Sequence, residues 1–323
     1  MTFQFAEKPF RWVGVVCALV LLIALSTPTG AQSATPGTPA GSETTVQLPP
    51  ADLPTMNEQG FVFELQSGFT GSLDQVPTDA PVYAMTQTTF DAASAEAIAV
   101  RLSIGGELND QGGGTFTGEG NGSLFITPGL VQYISTASVP EGTLPDDEEA
   151  IAFAREWLRQ TELLPANVGE GAIVAKVDTP PRVIVSFKPI QPERLLSADP
   201  SITVTMGLNA SILEASFRWA ELSAADTYQL RGADTAWTEV VERRSYLQAS
   251  IPPDTIAPGS TITGTASYSD VSLAYTSSGV PGEQQYLQPV FVFTGTVTPD
   301  GSSASFPIES YVPGLINSRQ PVG

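Results

Sequence analysis

At 323 residues, 41% of them hydrophobic and 8% aromatic, the chain can bury one large or two ordinary cores, which excludes a disordered protein. Its net charge of −20 opposes binding to nucleic acid and to an anionic membrane surface. It has no histidine and one cysteine, Cys17, which excludes a Ser-His-Asp or Cys-His centre and a zinc site of the usual nitrogen and sulfur ligands.

The first segment, MTFQFAEKPFR, carries Lys8 and Arg11, and the run from Trp12 to Leu25 is uncharged and apolar apart from Gly14, the shape of a secretory signal. The run is short against the roughly 20 residues of a membrane span, and Thr29-Gly30-Ala31 offers a cleavage point. A signal peptide over residues 1–31 is therefore expected, retention as an anchor through residues 12–25 being the alternative. Val16 stands where a lipoprotein signal needs a small residue, so Cys17 reads as apolar filler. Residues 32–56 are rich in Ser, Thr, Pro, Gly and Ala without apolar periodicity and read as a disordered linker.

Two α+β domains are expected beyond it, an N-terminal one over 57–139 and a C-terminal one over 140–323. In the first, GFVFELQSGF and APVYAMTQ alternate as strands do. A helix follows, capped by Asp91, with Ala95, Ile98 and Leu102 on one face and Gly105-Gly106 at its end. QGGGTFTGEGNG lacks the lysine and following helix of a phosphate loop and the regular aspartates of a calcium repeat, so it reads as a flexible hairpin connection. SLFITPGLVQYIST gives two strands about the turn Thr127-Pro128-Gly129.

The second domain opens on LPDDEEAIAFAREWLRQTELLP, a helix with a capping box of Asp146 and Glu149 and a stripe of Ile151, Ala154 and Leu158, Trp157 lying beside it. Asp146, Asp147, Glu148 and Glu149 are consecutive, so on a helix they point about 100° apart and suit the positive end of the dipole better than a metal ion. AIVAKV and RVIVSF about DTPP, then SITVTM and SILEASFRW about GLNA, read as hairpins. A third helix, GADTAWTEVVERR, presents Ala236, Trp237, Val240 and Val241. STITGTASYSDVSLAYT, YLQPVFVFTGTVT and SASFPIESYV follow as strands; Val290 to Phe293 are apolar on both faces, which marks an interior strand, with Pro289 at its start or at a bulge. A cap leading into Ala and a large apolar residue recurs at Ala97-Ile98, Ala150-Ile151 and Ala236-Trp237. The expected fold is α+β, capped helices packed on antiparallel β-sheets in loosely repeated helix-plus-hairpin units.

No catalytic, metal or cofactor-binding residue is assigned. Ser186 and Lys188 share a strand face about 7 Å apart, a spacing that strand periodicity explains without catalysis. Trp157, Trp219 and Trp237 suit a core better than a sugar platform, and most acids fall at helix starts or turns. Asn121-Gly122-Ser123 and Asn209-Ala210-Ser211 match glycosylation sequons, triplets that chance also supplies. The expectation is an exported, non-catalytic protein, secreted or at the cell surface, that regulates or binds a protein or peptide partner at the cell envelope. The alternative is a carbohydrate-binding protein or a glycoside-processing one that uses a carboxylate pair.

The capped Ala-rich helix followed by a hairpin such as SLFITPGLVQY or SITVTMGLNASILEA resembles PepSY-type domains. The succession DVSLAYT, YLQPVFVFTG, SFPIESYV is similar to the end of the YycH/YycI type of extracytoplasmic regulators of sensor kinases, in bacteria. The resemblance implies a regulatory or inhibitory module outside the membrane and brings no site residue with it.

Overall fold

The computed structural model describes residues 48–53, 60–138, 140–252, 255–279 and 284–315. Among these the chain forms β1 (Val62–Phe69), β2 (Asp79–Gln87), α1 (Ala92–Arg101), β3 (Asn109–Gly112), β4 (Thr115–Glu119), β5 (Gly122–Thr127), β6 (Leu130–Ser135) and α2 (Asp147–Gln160). Then come β7 (Val168–Asp178), β8 (Pro181–Pro189), β9 (Ser201–Met206), β10 (Ile212–Arg218), β11 (Ala220–Gln229), α3 (Ala233–Val241), β12 (Tyr246–Ala249), β13 (Thr261–Ser278), β14 (Gln285–Pro299) and β15 (Phe306–Pro313). The strands make two sheets. One has eight strands, all antiparallel, in the order β3-β4-β5-β6-β10-β9-β8-β7. The other has seven, β1-β13-β14-β15-β12, with β2 paired to both β14 and β11 and β1 running parallel to β13.

The expected α+β fold of capped helices with loosely repeated helix-plus-hairpin units is thereby corrected: the protein is mostly β, built on two large sheets. The three α-helices among the described residues, of 10, 14 and 9 residues, each cover part of one sheet face. The helices were easy to see because their caps and apolar stripes are local, whereas several strands leave no alternation to read. All four residues of β3 are exposed, as is most of β11, a strand that among the described residues pairs only with β2. The Gly-rich segment read as a flexible connection is in fact β3 and β4, turned by Gly113 and Gly114 at φ of 64° and 76°.

The boundary expected at 139/140 falls between β6 and α2, inside one sheet, because β6 pairs with β10 from Leu130–Arg218 to Ile134–Glu214. Likewise β1 and β2 belong to the sheet of β13, β14 and β15. Residues 1–47, including the expected signal peptide and most of the expected linker, lie outside the described residues. The part of the linker that is described is not disordered: Leu48 and Leu53 are buried, Ala51 bridges to Ser278, and Asp52 N–H donates to the Ser277 carbonyl at 2.9 Å.

Two main cores result. Ala95 and Ile98 of α1 with its C-cap Leu102, and Ala150, Ala154 and Leu158 of α2, pack on one face of the eight-stranded sheet, against Ile126, Val185, Phe187 and Val204. Ala236 and Val240 of α3 pack on the seven-stranded sheet, beside Phe291 and Phe293. Val241, expected in the same stripe, is exposed. The opposite face of β14 carries Val290 and Val292 in a small core with Leu53 and with Tyr311, the β15 neighbour of Val292, which explains why four consecutive residues of this strand are apolar and fully buried. Pro289 lies within β14, and its carbonyl accepts from Gly314 N–H, just beyond the end of β15, where the missing proline N–H interrupts no ladder.

Candidate functional site

The chain crosses between the two sheets twice near one point: outward from β2 into α1 through Thr88 to Asp91, and back from β10 into β11 at Trp219. The crossings are tied to each other and to the β5–β6 turn. Gly129 N–H donates to the Thr88 carbonyl at 2.7 Å, Trp219 N–H to the Gly129 carbonyl at 3.2 Å, and the Thr88 hydroxyl to the Trp219 carbonyl at 3.4 Å. Beside this junction opens a groove of about 700 Å³. Junctions of this kind are where ligand clefts concentrate, and the volume lies in the usual range.

One wall is α1. Asp91 caps it by accepting from Ser94 N–H at 2.8 Å while the Ser94 hydroxyl receives Asp91 N–H, and Ala97, Ile98 and Arg101 then line the groove. The helix stops at Ser103, φ 57°, before the expected Gly105-Gly106; Gly106 instead lets the chain pass β4, where a Cβ would come within 2.8 Å of the Glu119 carbonyl. The other wall is the loop after α2. Asp146 accepts from Glu149 N–H at 2.9 Å and Glu149 from Asp146 N–H at 3.3 Å, the expected capping box. The helix ends at Glu162, φ 57°, which turns Leu163, Leu164 and Pro165 towards the groove. Phe217 and Trp219, both buried, lie at its base with ring centroids 6.3 Å apart. Arg101 and Glu162 meet at 2.7 Å across the walls, so the cation is already neutralised. Glu221 remains exposed at the rim. The apolar run Leu163 to Ala166 after the helix is the visible sign of this wall in the sequence; the pairing of Arg101 with Glu162 has none.

The residues weighed from sequence are scattered. Trp157 stacks near Tyr133 at 6.1 Å, Trp219 lies at the base of the groove, and Trp237 sits in the other core against Phe69, Tyr268 and Phe293 at 5.3, 5.5 and 5.6 Å. The three therefore make no sugar platform. Lys188 donates to the Leu195 carbonyl at 3.1 Å, its pKa lowered by burial, while Ser186 is buried in the sheet. Asp146 and Glu149 are occupied by their cap. The Asn209 amide donates to the Glu141 carbonyl at 2.6 Å and holds that loop; Asn209 and Asn121 are both exposed. Among the described residues no three Asp or Glu side chains gather as metal ligands. Nor is any helix among them long and apolar enough to cross a membrane.

The eight-stranded sheet leaves its other face without a helix. Its register sets Asn109, Thr117, Phe125, Gln132, Ser216, Thr203 and Ser186 in one row and Glu119, Ser123, Ile134, Glu214, Thr205 and Ile184 in the next. Over β4 to β6 this face is concave, enclosing about 510 Å³.

No family model matches the chain, and no curated protein matches it in sequence. Solved structures similar to it include the following two. An uncharacterized protein from Eubacterium rectale ATCC 33656 aligns with a TM-score of 0.46 and 9% identity, over 80% of this chain and 91% of the other. The C-terminal domain of YpeB from Bacillus megaterium aligns with a TM-score of 0.34 and 11% identity, over 70% of this chain and 99% of the other.

Proposed function

We propose that the protein is an exported, non-catalytic module that binds a protein or peptide partner at the cell surface, and that the groove beside Trp219 is where the partner docks. The observation that carries this reading is the groove's composition. Its base and much of its walls are apolar, formed by Ile98, Leu163, Phe217 and Trp219, and its cation is held by Glu162. Such a surface suits apolar side chains of a polypeptide, with the polar rim fixing their register. The N-terminal run from Trp12 to Leu25 supports export. The PepSY-like resemblance of the helix-and-hairpin segments supports a regulatory role.

The test places an arginine in the groove without touching the core. Ala97 is half-buried on the wall, so Ala97→Arg fills the space, and Val241→Arg on the exposed side of α3 is the control. Crosslinked capture from the cell envelope should be lost in Ala97→Arg and kept in Val241→Arg, with both melting like the parent. Equal capture by both variants would remove the groove as the docking site. A melting temperature raised by a polysaccharide would favour the carbohydrate reading instead.

A further inference from the structure

The helix-free face over β4 to β6 differs in character from the groove. Phe125 and Ile134, on neighbouring strands and one register step apart, are 37% and 45% exposed, an apolar pair whose neighbours over β4 to β6 on this face are the polar Thr117, Glu119, Ser123 and Gln132. Around them stand Glu107, Glu119 and Glu214. Among the described residues none of these three carboxylates is in an ion pair, and no basic residue lines the concavity. Beside it runs β3, the edge of the sheet, with all four residues exposed.

We infer that this concave sheet face is a second docking site, and that its occupant is an extended cationic segment of another protein, with an apolar residue flanked by lysines or arginines. The apolar residue would lie on Phe125 and Ile134, and its basic neighbours would face Glu107, Glu119 and Glu214. Charge selects this occupant. A second copy of a chain carrying −20 would set these carboxylates against like charge, and an anionic polymer would be repelled. The site stands on its own observations, apart from the groove, so either can fail alone.

The experiment titrates the full mature chain at low salt with acetyl-Lys-Lys-Phe-Lys-Lys-amide and with its glutamate counterpart, by calorimetry. The lysine peptide should bind saturably, one per chain, and the glutamate peptide should not. Glu107→Lys with Glu119→Lys, both on exposed side chains, should weaken binding about tenfold, and Phe125→Ser should weaken it several-fold at any salt. The same charge reversal placed elsewhere, Glu148→Lys with Glu242→Lys, should leave binding unchanged. Equal weakening by the remote pair would mean that the peptide reads net charge alone, and would overturn the site. So would equal binding of both peptides, no saturable binding, or a dimer in sedimentation that Phe125→Ser dissolves. If Phe125→Ser fails to fold, the two charge-reversed proteins alone decide the question.

Discussion

At the level of single residues, the most consequential polar contact in the core is that of Tyr268, fully buried between sheet and α3, whose hydroxyl lies 2.6 Å from that of Ser310, itself fully buried. Burial pushes the phenol up from 10.0 to about 12, the Ser310 hydrogen bond opposing. Because the folded value lies above the unfolded one, the unfolded chain loses its proton first as pH rises. The contribution is complete below about pH 10 and drains by about 1.4 kcal/mol per pH unit until about pH 12. Tyr275, also pushed up to about 12 by burial, adds to the same alkaline limb. Tyr268→Phe should therefore cost about 1–3 kcal/mol at neutral pH, by stranding the Ser310 hydroxyl, and should make the decline above pH 10 shallower. Urea unfolding across pH 7 to 12 measures both; an unchanged alkaline slope would move the effect off Tyr268. In the sequence Tyr268 is only one position within the strand stretch STITGTASYSDVSLAYT. Its partner lies 42 residues on, across the sheet, and nothing local marks it.

Among the elements, the segment Leu48–Leu53 behaves as a strap over the end of β13 and β14. The Gln288 side chain, 1% exposed, donates to the Pro49 carbonyl at 2.6 Å, and the Thr276 hydroxyl donates to the Asp52 carbonyl. Leu53 closes the small core over Val290 and Val292. A chain beginning at residue 54 should be less stable than one beginning at Gln32 by about 3 kcal/mol or more, since it uncovers two leucines and part of a buried amide. Denaturant midpoints compare the two, and equal midpoints would make the strap peripheral. This stretch read as linker because its Ser, Thr, Pro and Ala composition carries no periodicity. The strap is held through backbone groups and two isolated leucines, which leave almost no pattern. The α2 cap, by contrast, was legible because Asp146 and Glu149 need only their own helix.

For the whole molecule, the interleaving of the strands predicts that neither half is separable. A fragment of residues 57–259 keeps β1 and β2 but loses β13 and β14, the strands they pair with. It should aggregate rather than melt cooperatively, because unpaired edges and the apolar face of α3 are left bare. Size exclusion and thermal circular dichroism test this, and a soluble fragment with a sharp transition would show that β13 to β15 only decorate an independent domain. What the sequence determined by itself was whatever depends on near neighbours: the caps of α1 and α2, most of the helix stripes, most hairpin turns, and the interior character of Val290 to Phe293. These follow from local hydrogen bonding and from the periods of helix and strand. Tertiary structure alone decided which strands share a sheet, that β1 runs parallel to a strand some two hundred residues later, and that Arg101 meets Glu162 across a groove based on Trp219. Those contacts join residues distant along the chain, and their free energy comes from burial shared between sheets, which no short window of sequence contains.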